Sequence, residues 1–383
     1  MSTYVDIHII QSLPPSCVNR DDSGSPKSAV YGGVRRLRVS SQSWKRATRL
    51  HFNDLLDAKD VGVRTKRVVE VLAERITENA PELAENAPEL AEGVFKAARI
   101  KLAPPRGKKD ALQESGYLLF LSTSQIARLA ELAIASARGG EALDAKTVKK
   151  IFKETHAVDI ALFGRMVADD TDLNVDAACQ VAHAISTHAA ENEYDFFTAV
   201  DDDKSRSEEE DAGAGMMGTV EFSSATMYRY ATVNLDMLVE NLGDGEAALR
   251  ALEVFIKGFC LSMPTGKQNT FANRTLPEAV VVLVRDDQPV SLVGAFEKPI
   301  RTNEADGYLA RSVEALAEHA RAIEDNYGLK PLASFVVALK GGGVLAPEGP
   351  DAPAPLGERV SFADLPDRVR EAVAPRVGRG ERA

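Results

Sequence analysis

Apolar and polar positions alternate from the start of the chain. Val5, Ile7 and Ile9 are separated by Asp6 and His8, which predicts a first strand from Tyr4 to Leu13. A turn-rich stretch from Pro14 to Gly33 follows, with the length of a functional loop. Alternation resumes from Arg35 to Val39, with Leu37 and Val39 set against Arg36 and Arg38, and then the period changes. Along VSSQSWKRATR (Val39 to Arg49), Gln42, Lys45, Arg46 and Arg49 fall at i, i+3, i+4 and i+7 on one helix face. Trp44, Ala47, Thr48 and His51 fall on another, and Phe52 and Leu55 extend that buried side. Ser40 or Ser41 supplies the N-cap. A strand thus feeds a helix whose first turn is expected to offer hydroxyls, free backbone N–H groups and the positive dipole end.

Residues 54–165 carry helical spacing and are rich in Ala, Leu, Glu and Lys. They include a local duplication, ENAPELAENAPELAE (Glu78 to Glu92), with Pro81 and Pro88 at helix starts. A further helix from Lys146 to Lys153 sets Lys146, Lys149, Lys150 and Lys153 on one stripe, which is either a solvated face or a second polyanion contact. Asp176 to Thr187 reads as an apolar helix. Tyr194 to Val200 and Thr219 to Phe222 read as two strands around an acidic, Gly-rich tip, a long hairpin. A helix is expected from Glu246 to Leu261, a Gly/Asn/Thr loop from Pro264 to Thr275, and an all-apolar strand from Ala279 to Arg285. A helix from Gly307 to Asn326, a strand from Ala333 to Leu339, a Pro/Gly-rich linker from Gly341 to Gly357 and a short helix from Phe362 to Ala374 complete the chain. Strands at both ends with helices returning between them predict an α+β, ferredoxin-like sheet, with a helical insertion and a protruding hairpin.

Charge changes the picture. The chain holds 46 bases and 57 acids, a net charge of −11. Between Ser23 and Asn53 there is no acid, but there are seven bases: Lys27, Arg35, Arg36, Arg38, Lys45, Arg46 and Arg49. Without that segment the chain stands at 39 bases against 57 acids, a net −18. A basic patch on an acidic body implies a polyanion held at one place, not general coating of nucleic acid. A solvated helix face usually mixes signs for i,i+4 pairing, and this one does not. The strand–helix junction therefore reads as a cradle for a phosphate backbone.

Other chemistry is poorly represented. Three cysteines (Cys17, Cys179 and Cys260) lie far apart without CxxC spacing, and His183 and His188 lack a third ligand, so neither a disulfide framework nor a metal centre is expected. Gly266-Lys267 lacks the P-loop frame, with Gln268 where Ser or Thr belongs. Acid pairs at Asp21/Asp22 and Asp201/Asp202/Asp203 could hold Mg²⁺, though acid runs at loop tips are usually solvated. Phe196 and Phe197 are adjacent, so in a strand only one can face a core, leaving the other to stack on or wedge between bases. The start is no signal peptide and no apolar run reaches spanning length, so a cytoplasmic protein without membrane contact is expected.

PSCVNRDD (Pro15 to Asp22), YGGVRRLRVSSQSWKRA (Tyr31 to Ala47), DIALFGRM (Asp159 to Met166), VAHAISTH (Val181 to His188), DFFTAVDD (Asp195 to Asp202) and VEFSSATMYRYATVNL (Val220 to Leu235) resemble the CasC-type backbone subunit of the type I-E CRISPR Cascade surveillance complex. The likeness runs from about residue 4 to 300. It implies an RNA-recognition-like palm (1–57, 181–193 and 224–345), helical fingers (58–180), a thumb hairpin (194–223), and a linker with a C-terminal helix (346–383). It implies copies stacked along one CRISPR RNA, target DNA paired to the guide, and large, small, RNA 5′-end and 3′-hairpin-processing subunits as neighbours. No cofactor, metal or catalysis is implied. Arg20, Lys27, Ser40, Gln42, Lys45, Arg46 and Arg49 fall on the family's RNA-backbone positions. Met166, Phe196, Phe197 and Val200 fall on its wedge positions, and Lys267 and Gln268 on a further RNA loop. The lysine stripe would then face DNA. The acidic thumb tip (Ser207 to Asp211) departs from an RNA-contacting role and suits a neighbouring subunit or solvent. The alternative is a metal-dependent ribonuclease using Asp201 to Asp203, as thumb-loop acids do in type III backbone subunits.

Overall fold

The computed structural model describes residues 2–108, 111–140, 142–199, 216–302, 307–339, 345 and 356–377. In chain order the first elements are β1 (Tyr4–Ser16), β2 (Ser28–Tyr31), β3 (Val34–Val39) and α1 (Ser41–His51). Then come β4 (Gly62–Thr65), α2 (Val68–Asn79), α3 (Ala87–Ala97), β5 (Leu102–Ala103), β6 (Glu114–Ser115), β7 (Leu119–Ser122), α4 (Thr123–Gly139), α5 (Ala145–Lys153) and α6 (Val158–Phe163). The chain re-enters the sheet with β8 (Cys179–Val181) and β9 (Ala184–Ser186), followed by β10 (Glu193–Ala199) and β11 (Met216–Asn234). It continues with α7 (Leu235–Leu242), α8 (Gly245–Leu261), α9 (Gln268–Phe271), β12 (Ala279–Arg285), α10 (Tyr308–Tyr327), β13 (Ala333–Ala338), β14 (Glu358–Arg359) and α11 (Leu365–Val373).

One mixed sheet runs β14-β13-β12-β1-β11-β9-β3-β2, and β8 and β10 also pair with β11. All its pairings are antiparallel except β13 with β14. Its two faces explain the run AVVVLVR. Val280, Val282 and Val284 join Val5, Ile7 and Ile9 against Leu252, Phe255 and Phe259 of α8, whereas Val281 and Leu283 pack with Ile10 against Val313, Leu316 and Ala317 of α10. A strand covered on both faces is apolar throughout. A second core lies between β3 and α6: Leu72, Ile76, Phe95, Leu129, Ala133 and Phe152 pack α2 to α5 on one another. Two small ladders, β4 with β7 and β5 with β6, accompany it.

The duplicated ENAPELAE segment folds in two ways. Pro81 opens a short 3₁₀ turn after α2, whereas Pro88 lies in the first turn of α3. Identical sequence takes different structure because Val94 and Phe95 follow only the second copy into a core.

Three expectations are corrected. Asp176 to Thr187 is no helix: Cys179 to Val181 pairs with Ala231 to Val233, and Ala184 to Ser186 bridges β3 and β11. Open edges of existing strands outweigh the helix propensity of the alanines. The loop expected from Pro14 to Gly33 contains the end of β1 and all of β2, which turns into β3 through Gly32 and Gly33, both with positive φ. Gly32 is required twice over, because a Cβ there would collide with the Glu297 carbonyl. Leu55 is exposed, since α1 gives way to a 3₁₀ turn at Phe52 and only Phe52 is buried. Most of the Gly341 to Gly357 linker lies outside the described residues. The helix beyond it is core structure, with Leu365, Val369 and Val373 packed in the α8 cluster.

Beneath α10, Asp6 and Arg285 form a fully buried ion pair, Nε to Oδ2 at 3.2 Å, with Tyr230 donating to Asp6 at 3.0 Å and Val290 N–H at 2.9 Å. Burial still pushes the Asp6 carboxyl upward. Arg285→Met should cost about 3–5 kcal/mol in urea unfolding at pH 7, the penalty of leaving a buried charge unpaired. The loss should shrink at a lower pH, as Asp6 takes up a proton. A loss equal at both pH values would mean that Asp6 does not change its charge between them.

Candidate nucleic-acid interface

The basic segment acquires its geometry from α1. Ser40 is the N-cap in extended conformation, and its hydroxyl accepts from Ser43 N–H at 3.3 Å. Two further amides of that end are not free, in part contrary to expectation. Ser40 N–H donates to Asn19 Oδ1 at 2.8 Å and Ser41 N–H to His183 Nδ1 at 2.9 Å. These side chains satisfy donors that a ligand would otherwise use. The inward face is set by Trp44 and Thr48, both buried, with Thr48 Oγ1 3.3 Å from Ser262 Oγ of the α8 end. Over the Trp44 ring lies the guanidinium of Arg229, 3.7 Å from its centroid.

The outward face carries the predicted stripe. Gln42 and Arg46 are exposed. Lys45 and Arg49 are half-buried because each leans over an aromatic ring, Lys45 Nζ 5.8 Å from the Phe163 centroid and the Arg49 guanidinium 5.3 Å from that of Phe120. Burial lowers the Arg49 pKa, and the nearby Asp159 opposes that shift. Asp159 is buried, accepts Gly62 N–H at 3.0 Å, and has its second oxygen unpartnered. Burial raises its pKa to about 6, against the pull of Arg49.

The neighbouring loops complete a continuous surface. Arg20 is exposed and Lys27 half-buried, in a loop that Asp21 fastens by accepting from Ser23 and Ser25 N–H. Gly266 touches that loop closely enough that a Cβ would meet Val18 O at 2.3 Å. Next to it Lys267 adopts a left-handed conformation (φ 46°) and Gln268 opens the one-turn α9, where a plain loop was expected. A groove lined by Val18, Ser43, Arg46 and Gly266 joins this loop to α1. Arg20, Lys27, Ser40, Gln42, Lys45, Arg46, Arg49, Lys267 and Gln268 therefore belong to one region. Ser40 is buried in its capping role.

Among the described residues, none of Lys27, Arg35, Arg36, Arg38, Lys45, Arg46 or Arg49 has a carboxylate within 4 Å. Arg36 is nevertheless not part of the surface. It is fully buried and donates to the carbonyls of Tyr31, Ser186, Phe296 and Glu297 at 2.8–3.2 Å. Alternation misplaced it because β3 has protein on both faces.

Met166 stands 77% exposed just beyond α6, whose Phe163 lies under Lys45. In the hairpin neither phenylalanine reaches a core. Phe196 is 64% exposed on a face shared with Tyr194 and, across the ladder, Met217. Phe197 lies on the opposite face, its ring so close to Gly218 that a Cβ there would meet it at 2.6 Å. At the hairpin base Phe222 approaches Phe271 of α9, ring centroids 6.0 Å apart. Val200, Asp201 to Asp203 and Ser207 to Asp211 lie outside the described residues.

The lysine stripe on α5 is only partly available. Lys149 is paired with Asp170, and Lys150 lies 3.7 Å from Glu154. Lys146 and Lys153 are exposed. No group of three or more His, Cys, Asp or Glu residues placed to hold a metal occurs among the described residues.

Sequence reasoning missed Arg229 and Asp159. A lone arginine within the apolar run MYRYATV was the available signal for the first; the second had none, since its burial depends on the distant Gly62.

The model of a family described as CT1975-like protein matches residues 5–350. One chain of a solved structure described as a CRISPR RNA-guided surveillance complex, pre-nicking, superposes with a TM-score of 0.83 at 37% identity, covering 96% of this chain and 99% of that one. A chain of a second CRISPR RNA-guided surveillance complex superposes with a TM-score of 0.72 at 31% identity, with the same coverage. No curated protein matches the chain.

Because its folded pKa lies above the unfolded value, Asp159 contributes stability that is present below about pH 4 and lost as pH rises through about 6. Relative to Asp159→Asn, the native protein should therefore lose up to about 3 kcal/mol between pH 4 and pH 7. Melting temperatures of the two proteins across that range test it, and a pH-independent difference would mean a normally titrating carboxyl.

Proposed function

This chain belongs to the CT1975-like protein family, and from that premise we propose that it is a CRISPR RNA-binding backbone subunit of a surveillance complex of the type I-E Cascade kind. The observation that carries the reading is the cationic surface around α1. Its bases lack carboxylate partners among the described residues of a chain whose remainder is strongly acidic. Such a surface suits a ribose-phosphate backbone at a fixed place on the protein. The large sheet would act as an RNA-recognition-like palm, the module with the second core as fingers, and the β10–β11 hairpin as a thumb.

In this reading Arg20, Lys27, Gln42, Lys45, Arg46, Arg49, Lys267 and Gln268 hold the RNA strand, with Ser40 capping the helix that presents four of them. Met166 and the Tyr194–Phe196–Met217 face supply apolar surface on which a base is stacked or displaced. Copies of the chain share one guide, target DNA pairs with that guide, and Lys146 and Lys153 are the α5 residues left to face DNA. The other Cascade subunits complete a cytoplasmic particle. The subunit works by holding the strand, without catalysis, cofactor or metal.

Single-stranded RNA binding by the purified protein should follow a log–log salt slope of about −4, from roughly six phosphate contacts at about −0.7 each. Lys45→Ala with Arg46→Ala should weaken binding at least about tenfold and flatten that slope by about 1.4, with the melting temperature nearly unchanged. A native slope near zero would exclude backbone clamping. Phe196→Ala should weaken binding by about 1–3 kcal/mol without changing the slope, since stacking releases no counterions. A loss that grows with falling salt would assign Phe196 no stacking role.

A further inference from the structure

Arg64 lies far from the basic segment in sequence and is exposed on β4, in the module with the second core. Its place is fixed by the β4–β7 ladder, where it stands directly opposite Phe120. Directly opposed residues of an antiparallel pair project from the same face with Cβ atoms about 5 Å apart. Phe120 is the residue whose ring lies under the Arg49 guanidinium, 5.3 Å from its centroid. Arg64 therefore rises beside the ring that Arg49 covers, and Arg46 is exposed one helical turn before Arg49. The charges of Arg64 and Arg46 both act on Arg49 and depress its pKa, consistent with that closeness.

We infer that Arg64 is a further RNA-phosphate ligand, which with Arg46 and Arg49 closes a cleft of three guanidiniums around one phosphate of the strand held by α1. This rests on the proposed function and names a contact outside the basic segment. Three guanidiniums brought together from two modules repel one another, and no described carboxylate comes within 4 Å of Arg46, Arg49 or Arg64 to offset this. Asp159, the acid that acts on Arg49, is buried and accepts from Gly62 N–H. It supports the floor of the cleft and leaves its mouth cationic. A phosphate offers oxygens enough for several planar donor forks, and its charge offsets the repulsion. The cleft also spans α1 and β4, so a bound strand ties the module of the second core to the sheet.

The test uses the full-length protein and a fluorescent single-stranded RNA, with Arg64→Ala and Arg64→Gln as separate variants, the second keeping most of the side-chain bulk. Each should weaken binding on the order of tenfold, the worth of one charge-assisted hydrogen bond, and flatten the salt slope by about 0.7. Combining Arg64→Gln with Arg46→Ala should cost less than the two single losses together, because both act on one phosphate. Native affinity and slope in both Arg64 variants, while Arg46→Ala alone weakens binding, would overturn this inference and leave the proposed function standing. Native binding by Arg46→Ala would likewise overturn the cleft, whereas a salt slope near zero in the native protein would remove the proposed function itself. Strictly additive losses would replace a shared phosphate by two separate contacts, and so also overturn the cleft.

Discussion

A buried guanidinium with no carboxylate of its own holds the candidate interface in place. Arg229, on the central strand β11, donates to the Gln11 side chain of β1 and to the Phe259 carbonyl of α8. Its central carbon lies 3.7 Å from the centroid of the Trp44 ring of α1 and 4.5 Å from that of the Phe259 ring. Burial lowers its pKa to about 9, which still leaves it charged at neutral pH. Gln11 continues the chain of contacts, donating to the Thr275 carbonyl at 3.0 Å, and Thr275 donates to Ser12 O at 2.7 Å. The helix with the basic stripe and the far end of the loop bearing Lys267 are thus positioned from one point. A cation is costly to bury, and this one persists because carbonyl oxygens and aromatic faces replace its water.

The same division of labour recurs. Arg36 and Arg165 are buried and satisfied mainly by backbone carbonyls, Arg165 by those of Leu173 and Phe152 at 2.9 and 2.7 Å. Carbonyls fix an arginine's geometry without cancelling its charge. Among the described residues, the surface bases of α1 have neither a carbonyl cage nor a carboxylate within 4 Å. Internal arginines build the scaffold, and external ones leave their binding capacity to a partner.

How legible this was depended on whether a feature is local. The α1 stripe, its Ser40 cap, the β10–β11 hairpin and the strand from Ala279 to Arg285 follow from period and capping, which a single segment contains. β8 and β9 were misread because alanines at helical spacing cannot announce that β3 and β11 offer them partners 140 residues upstream and 45 residues downstream, roughly. Arg36 failed for a related reason. It is held by the carbonyls of Ser186, Phe296 and Glu297, which the pattern of β3 does not contain. The cation count of the basic segment was readable; which cation serves the fold was not.

The hairpin shows what the acidic body and basic strip accomplish together. Its Tyr194, Phe196 and Met217 side chains share an exposed face and lie outside all the apolar clusters of the described residues. An apolar ribbon of this kind is an unfavourable arrangement for an isolated protein, and it is sensible where bases or another subunit cover it. Its base meets α9 through Phe222 and Phe271, beside the loop that carries Lys267. In the proposed reading, a strand following the cations would arrive at the apolar ribbon, so that backbone contact and base displacement would act on neighbouring nucleotides. The acidic remainder would repel a polyanion elsewhere and confine it to that path. Register along the strand would then be set by the spacing between charge and wedge, with no need to read the identity of a base.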